Sequence, residues 1–175
     1  MTFASLSRSA ALMLLCSLLT ACGLTQAVSD GTISATKAIF YKKIKVLHLD
    51  FEPRADINAD ESQTPLATMV QVWQLKDRQK VDAADYQKLL RDADNTLKEG
   101  IVASKSLLVM PKGSVTLNMP MNEEAKFVAV VGLFNRPDIR NNTWKRVLSR
   151  KDLDPDKPRT IQLNSTGLTL VPVKE

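Results

Sequence analysis

The sequence predicts a mainly β domain, a two-sheet sandwich with one helix laid across it. Three observations lead there. Apolar and polar residues alternate in short runs from residue 44 to the C-terminus, turn-forming residues separate the runs, and only residues 83–98 carry a helical period instead. Side chains alternate between faces along a strand, so period two marks a half-buried strand and period 3.6 an amphipathic helix. Many short strands plus one helix bury their apolar faces only by stacking in layers.

The elements follow in order. Leu47, Leu49 and Phe51 alternate with His48 and Asp50 in the first strand, and Val70 and Val72 with Gln71 and Trp73 in the second. Tyr86, Leu89, Leu90, Ala93 and Leu97 form a single apolar stripe that a helix turns toward the core. Asp82 is placed to cap that helix, Asp85 to sit in its first turn, and Gly100 to stop it. Residues 107–110 and 115–119 flank Pro111-Lys112-Gly113 and read as a hairpin. Residues 127–134 are nearly continuously apolar, as in a strand covered on both faces. Residues 144–148 are polar and basic enough for an edge strand, where charge discourages stray pairing. Finally, residues 161–163 and 168–171 flank Asn164-Ser165-Thr166-Gly167, a turn in which Gly167 can take a left-handed conformation.

Ahead of this domain the chain reads MTFASLSRSAALMLLCSLLTAC. Arg8 and the terminal amine give a positive start, and residues 10–19 give an apolar core, which is the secretory pattern. The apolar run is too short for the ~20 residues that span a bilayer. Leu19-Thr20-Ala21-Cys22 resembles the bacterial lipobox, whose cysteine sulfur receives a diacylglycerol and becomes the new N-terminus. The expectation is therefore a removed signal at residues 1–21, a lipidated Cys22, a polar tether over residues 22–37 and a sandwich domain over residues 38–175. Cys16 and Cys22 are the only cysteines, so the mature chain has no disulfide to form in an oxidising periplasm. Residue 23 is Gly, not the Asp that in many bacteria retains a lipoprotein at the inner membrane, so the expected location is the outer membrane, facing the periplasm. Arg8 leaves with the signal, which lowers the net charge from +5 to +4 without any long basic run. That pattern does not describe a nucleic-acid-binding surface.

A search for chemistry finds little. His48 is the only histidine, it lies inside a strand, and a catalytic triad would have to use it. Zinc ligands are lacking, phosphate-binding and nucleophile-elbow motifs are absent, and six glycines leave little for phosphate cradles. Asp56, Asn58 and Asp60 match the first three positions of a calcium loop, as do Asp152, Asp154 and Asp156. Both then fail, with Glu61 or Lys157 where a Gly should turn the chain and Ala67 or Leu163 where a Glu should chelate. No enzyme and no cofactor is expected. The thirteen residues 53–65 between the first two strands do stand out, being longer than most strand connections and largely polar. Such a loop is expected to serve a function and to add little to stability.

Residues 69–77, Met-Val-Gln-Val-Trp-Gln-Leu-Lys-Asp, resemble the V-x-V-Y-Q-L strand of the type VI secretion outer-membrane lipoproteins, the TssJ or SciN family. The order that follows is similar too: a helical Ala84-Asp85-Tyr86 with Leu89-Leu90, the turn at Met110-Pro111-Lys112-Gly113, the buried strand at residues 125–131, then Trp144-Lys145-Arg146-Val147. Trp73 stands where the family usually has Tyr, and Lys112 lengthens the simplest Pro-Gly turn. The resemblance covers nearly the whole chain. It implies a transthyretin-like sandwich with an added helix, no catalysis, and docking to the periplasmic C-terminal domain of a TssM-type inner-membrane protein in a complex that also holds a TssL-type protein. It assigns that contact to the loop between the first two strands, hence to Pro53, Arg54, Asp56, Asn58, Asp60 and Glu61, with the residues from Arg54 onward exposed. A stand-alone periplasmic binding module, for a small ligand or calcium, is the alternative.

Overall fold

Two four-stranded sheets face each other, built from eight strands in a computed structural model that describes residues 43–173. These residues belong to a single compact unit beginning at Lys43. Cys22, the expected signal and the expected tether lie outside them. The first sheet has the order β4-β1-β7-β8, from β1 (Val46–Pro53), β4 (Val115–Pro120), β7 (Arg159–Leu163) and β8 (Leu168–Leu170). The second has the order β3-β2-β5-β6, from β2 (Thr68–Leu75), β3 (Ile101–Val109), β5 (Phe127–Leu133) and β6 (Lys145–Ser149). All neighbours are antiparallel except β1 and β7.

The alternation read from the sequence sets the faces. Leu47, Leu49, Phe51, Ile161 and Leu163 are fully buried from the first sheet, and Val70, Val72, Val128 and Val130 from the second. Each such side chain contributes about 1.5–3 kcal/mol by leaving water. The outer face of the first sheet stays polar. There His48 Nδ1 lies 2.6 Å from Asn118 Oδ1, and the Thr116 hydroxyl donates to Asp50 at 2.7 Å, both across the β1–β4 register. The outer face of the second sheet is apolar, with Trp73 and Leu75 of β2 and Ala129 and Val131 of β5 all buried.

Helices account for that coverage. The short α1 (Gln79–Ala83) and the longer α2 (Tyr86–Leu97) bury Val81, Tyr86, Leu89, Ala93 and Leu97. Asp82 lies inside α1, and it is Asp85 that caps α2, its carboxylate accepting the Lys88 N–H at 2.7 Å. The backbone leaves helical geometry at Asp92, and Leu90 stays 46 % exposed, outside the buried stripe. Gly100 ends the turn by donating its N–H to the Leu97 carbonyl. No helix among the described residues is long and apolar enough to cross a membrane.

Two turns differ from expectation. β3 and β4 do not pair; the turn between them carries the chain from one sheet to the other. Period two is the same whether successive strands pair or face each other across a core, so pattern alone could not separate the two. Within that turn Lys112 takes the left-handed conformation (φ 63°), and the Gly113 N–H donates to the Met110 carbonyl at 3.0 Å. With Pro111 ahead of it this is a type II turn whose usual glycine position holds a lysine. Gly167, by contrast, has no positive φ. It is needed for proximity, since a Cβ there would lie 2.2 Å from Thr143 Oγ1. The edge and centre assignments hold: β6 is outermost, and five consecutive residues of β5 are buried.

Candidate partner-binding end of the sandwich

Strand directions bring four connections to one end of the domain: β1–β2 (residues 54–67), β3–β4 (110–114), β5–β6 (134–144) and β7–β8 (164–167). The chain enters β1 at the opposite end.

The first connection is part structure and part display. Pro53 ends β1 opposite Leu163, and the Arg54 N–H donates to the Leu163 carbonyl at 2.8 Å. The Arg54 and Asp56 side chains form an exposed ion pair at 3.5 Å, of the kind that adds little stability. Glu61 is exposed and Asp60 half-buried. Asn58, expected at the surface, is instead only 5 % exposed. It sits at φ 47°, a conformation that Asn tolerates better than most residues. Its Oδ1 accepts the Asn135 N–H at 2.6 Å and its Nδ2 donates to the Ala67 carbonyl at 3.1 Å. Ile57 and Ala59 flank it, buried in the core. The expectation that this loop adds little to stability therefore fails for residues 57–59. An apolar residue two positions from another, on either side of a polar one, was the available signal, and the acidic residues around it masked it.

Beyond this plug the tip closes on itself. Asp60 N–H donates to the Thr64 carbonyl (3.0 Å), its Oδ1 accepts the Thr64 N–H (2.8 Å), and Gln63 turns the chain at φ 62°. Arg136 from the β5–β6 connection braces it, donating from Nη2 to the carbonyls of Ala59 (3.3 Å) and Asp60 (3.0 Å). Arg136 and Asn135 were not foreseen, since contacts about 77 residues apart leave no local pattern. In the same connection Asp138 accepts the backbone N–H and side-chain amide of Asn141, bonds that hold its carboxyl below the ordinary aspartate range. The Asp138 N–H reaches the Thr166 carbonyl, and the Leu168 N–H reaches the Thr143 carbonyl, so neighbouring connections brace one another.

This end also gathers apolar surface. Leu66, Met69, Leu108, Met110 and Ile139 are each between 38 % and 54 % exposed. Met69 and Leu108 are direct neighbours across β2 and β3, and contiguous exposed apolar patches are where proteins commonly meet one another.

Among the described residues no group of three or more His, Cys, Asp or Glu side chains is placed to hold a metal. The Asn58 oxygen is turned inward, away from any shared site with Asp56, and Asp154 Oδ1 accepts the Asp156 and Lys157 N–H groups as an ordinary turn. A groove of about 820 Å³ runs beside β7 and residues 170–173, lined by Glu52, Lys151, Asp154 and Lys157 among others, and it is broad and open. Small-molecule sites enclose most of their ligand.

Comparison with known proteins fits this architecture. A family model described as "Type VI secretion lipoprotein, VasD, EvfM, TssJ" matches residues 45–166. A chain in a structure described as "T6SS protein TssM C-terminal domain (869-1107) from EAEC" is 42% identical, with TM-score 0.69, over 74% of this chain and 100% of that one. A chain of a structure described as "Type VI membrane complex" is also 42% identical, with TM-score 0.71 and the same coverage. The T6SS lipoprotein TssJ1 from Pseudomonas aeruginosa shares the fold at 18% identity, TM-score 0.63, over 75% of this chain and 100% of that one. Comparison with curated proteins finds no match. The chain belongs to the type VI secretion lipoprotein family.

Proposed function

We propose that this protein is a non-enzymatic scaffold, held on the outer membrane through lipid on Cys22, that docks the periplasmic C-terminal domain of a TssM-type inner-membrane protein. The observation that carries this reading is the 42% identity to a chain found within a structure described by the TssM C-terminal domain. That chain is fully covered by 74% of this one and so is shorter than the span 869-1107, which fits a companion of the TssM domain better than the domain itself. The second 42% match, within a type VI membrane complex, supports the same assembly, which would also hold a TssL-type protein. The braced loop end is the docking surface, with Arg54, Asp56, Asp60 and Glu61 displayed by the buried Ile57–Ala59 plug and Pro53 closing the strand beneath them. A diacylglycerol on the Cys22 sulfur brings two acyl chains, which give the anchoring that a single chain cannot.

The test separates tip from plug. Residues 61–64 are replaced by Gly-Ser, sparing Ile57 and Asn58, and binding to the partner's periplasmic domain is measured beside thermal unfolding. Affinity is expected to fall at least tenfold with the melting temperature nearly unchanged. Unaltered affinity in a folded variant would move the contact off the tip. In a parallel arm Cys22→Ser is expected to leave the outer-membrane fraction; a serine variant that still fractionates there would remove the lipid from the reading.

A further inference from the structure

β3 is the outermost strand of its sheet and runs for nine residues. Its outward backbone groups follow from one bond. The Gly132 N–H donates to the Trp144 carbonyl toward β6. Backbone groups alternate sides along a strand, so odd-numbered residues of β5 face β2. Carried through the registers Val131↔Gln71 and Val72↔Lys105, this leaves even-numbered residues of β2 facing β3, where they meet Ala103, Lys105, Leu107 and Val109. The N–H and C=O groups of Ser104, Ser106 and Leu108 therefore point away from the sheet, and among the described residues nothing pairs with them.

An unpaired edge of this length is a ready template for another strand. Next to it Leu133, Met69 and Leu108 stand in register across the outer face, with Met69 and Leu108 39 % and 51 % exposed. This is the part of that face where apolar side chains remain open, and it adjoins the loop end.

Charge selects the occupant. Lys105 is the central residue of β3, is exposed, and has no carboxylate partner among the described residues. Two copies of this chain pairing antiparallel about the strand centre would set Lys105 against Lys105, and like charges directly opposite are destabilising. An acidic residue there is favoured instead. We propose that β3 accepts an extended strand from the TssM-type partner, with an acidic residue opposite Lys105 and an apolar residue three positions away against Leu108 and Met69. This rests on the scaffold reading and adds main-chain pairing to the loop contact.

Amide hydrogen exchange on the full lipoprotein in detergent, with and without the partner's periplasmic domain, tests it directly. Ser104, Ser106 and Leu108 amides are expected to slow at least tenfold on binding. Ser106→Pro removes an outward N–H, a position where an edge strand tolerates proline, and is expected to weaken binding at least tenfold; Lys105→Glu is expected to weaken it at least fivefold, more so at low salt. Should the proline variant misfold, the exchange data and Lys105→Glu decide. Full binding with unchanged exchange along β3 would overturn the inference and leave the scaffold reading standing. Protection of the same amides in a dimer without partner would make a second copy the occupant and overturn it as well. No binding by the unaltered protein would remove the scaffold reading and this inference together.

Discussion

Asn58 shows how one buried side chain can set the shape of the loop around it. Its amide ties the end of its own connection, at Ala67, to Asn135 of the β5–β6 connection, from a side chain only 5 % exposed. Truncation leaves the part-buried Asn135 N–H and Ala67 carbonyl without their partner, a loss within about 1–3 kcal/mol, and it also strands a side chain without Asn's tolerance at φ 47°. Asn58→Ala is therefore expected to lower stability by roughly 2 kcal/mol, read as a lower denaturant midpoint at constant m-value. A loss under 0.5 kcal/mol would show that water or loop movement replaces both bonds. The sequence contained the residue but pointed to another role. Asp56-Ile57-Asn58-Ala59-Asp60 has calcium-loop spacing, and nothing local shows that the middle of the run is folded inward while its ends stay wet.

At the level of elements, the helices are fastened to the sheet by Lys145. Its ammonium donates to the carbonyls of Val81 (2.8 Å), Asp82 (2.9 Å) and Ala84 (3.0 Å) at the C-terminal end of α1, and lies 4.9 Å from the centre of the Trp144 ring. Burial pushes this ammonium below the ordinary lysine range, against the opposite pull of Asp82 and Asp85. Tyr86 adds a second tie, its hydroxyl donating to the Phe134 carbonyl at 2.6 Å while its ring meets Trp144 edge-on. Lys145→Met keeps the aliphatic stem and removes the donors. It is expected to cost about 1.5–3 kcal/mol, the range for bonds to a charged group, and to raise exchange of α1 and α2 amides more than those of β1. Equal loss everywhere would mean the clamp stabilises the whole core and not the helix layer. Most strand positions and the stripe of α2 were legible in the sequence because periodicity is local, whereas the five-residue α1 was too short to show one. Pairing was not legible: residues 107–110 and 115–119 alternate as a hairpin would, yet lie in different sheets. Nor was the first half of β3 visible, since Ala103-Ser104-Lys105-Ser106 at an edge needs no apolar alternation.

For the molecule as a whole, the consequence of the topology is polarity between its two ends. Four connections, five exposed apolar side chains and the tip of the first loop share one end, while the connections at residues 121–126 and 150–158 share the other with the entry of β1. The far end is well tied: Arg150 donates to the carbonyls of Asn122, Glu123, Ala125 and Ile44, closing that end around the segment that leads into β1. On the proposed docking at the loop end, the two ends differ in role, which predicts how insertions behave. Lengthening a surface connection costs the fold little, because closure entropy grows only with the logarithm of loop length. A six-residue Gly-Ser insertion between Lys112 and Gly113, and another between Pro155 and Asp156, should both leave a folded protein with melting temperature changed by only a few degrees. Their effects on docking should differ. The first puts flexible, hydrated chain beside Leu108 and Met110, where it opposes close approach of a partner, and affinity is expected to drop at least tenfold. The second lies at the far end and should leave affinity within twofold. Calorimetric titration against the partner's periplasmic domain compares them. Equal loss from both insertions, in variants that remain folded, would show that the partner wraps the whole sandwich and that the loop end holds no privileged contact.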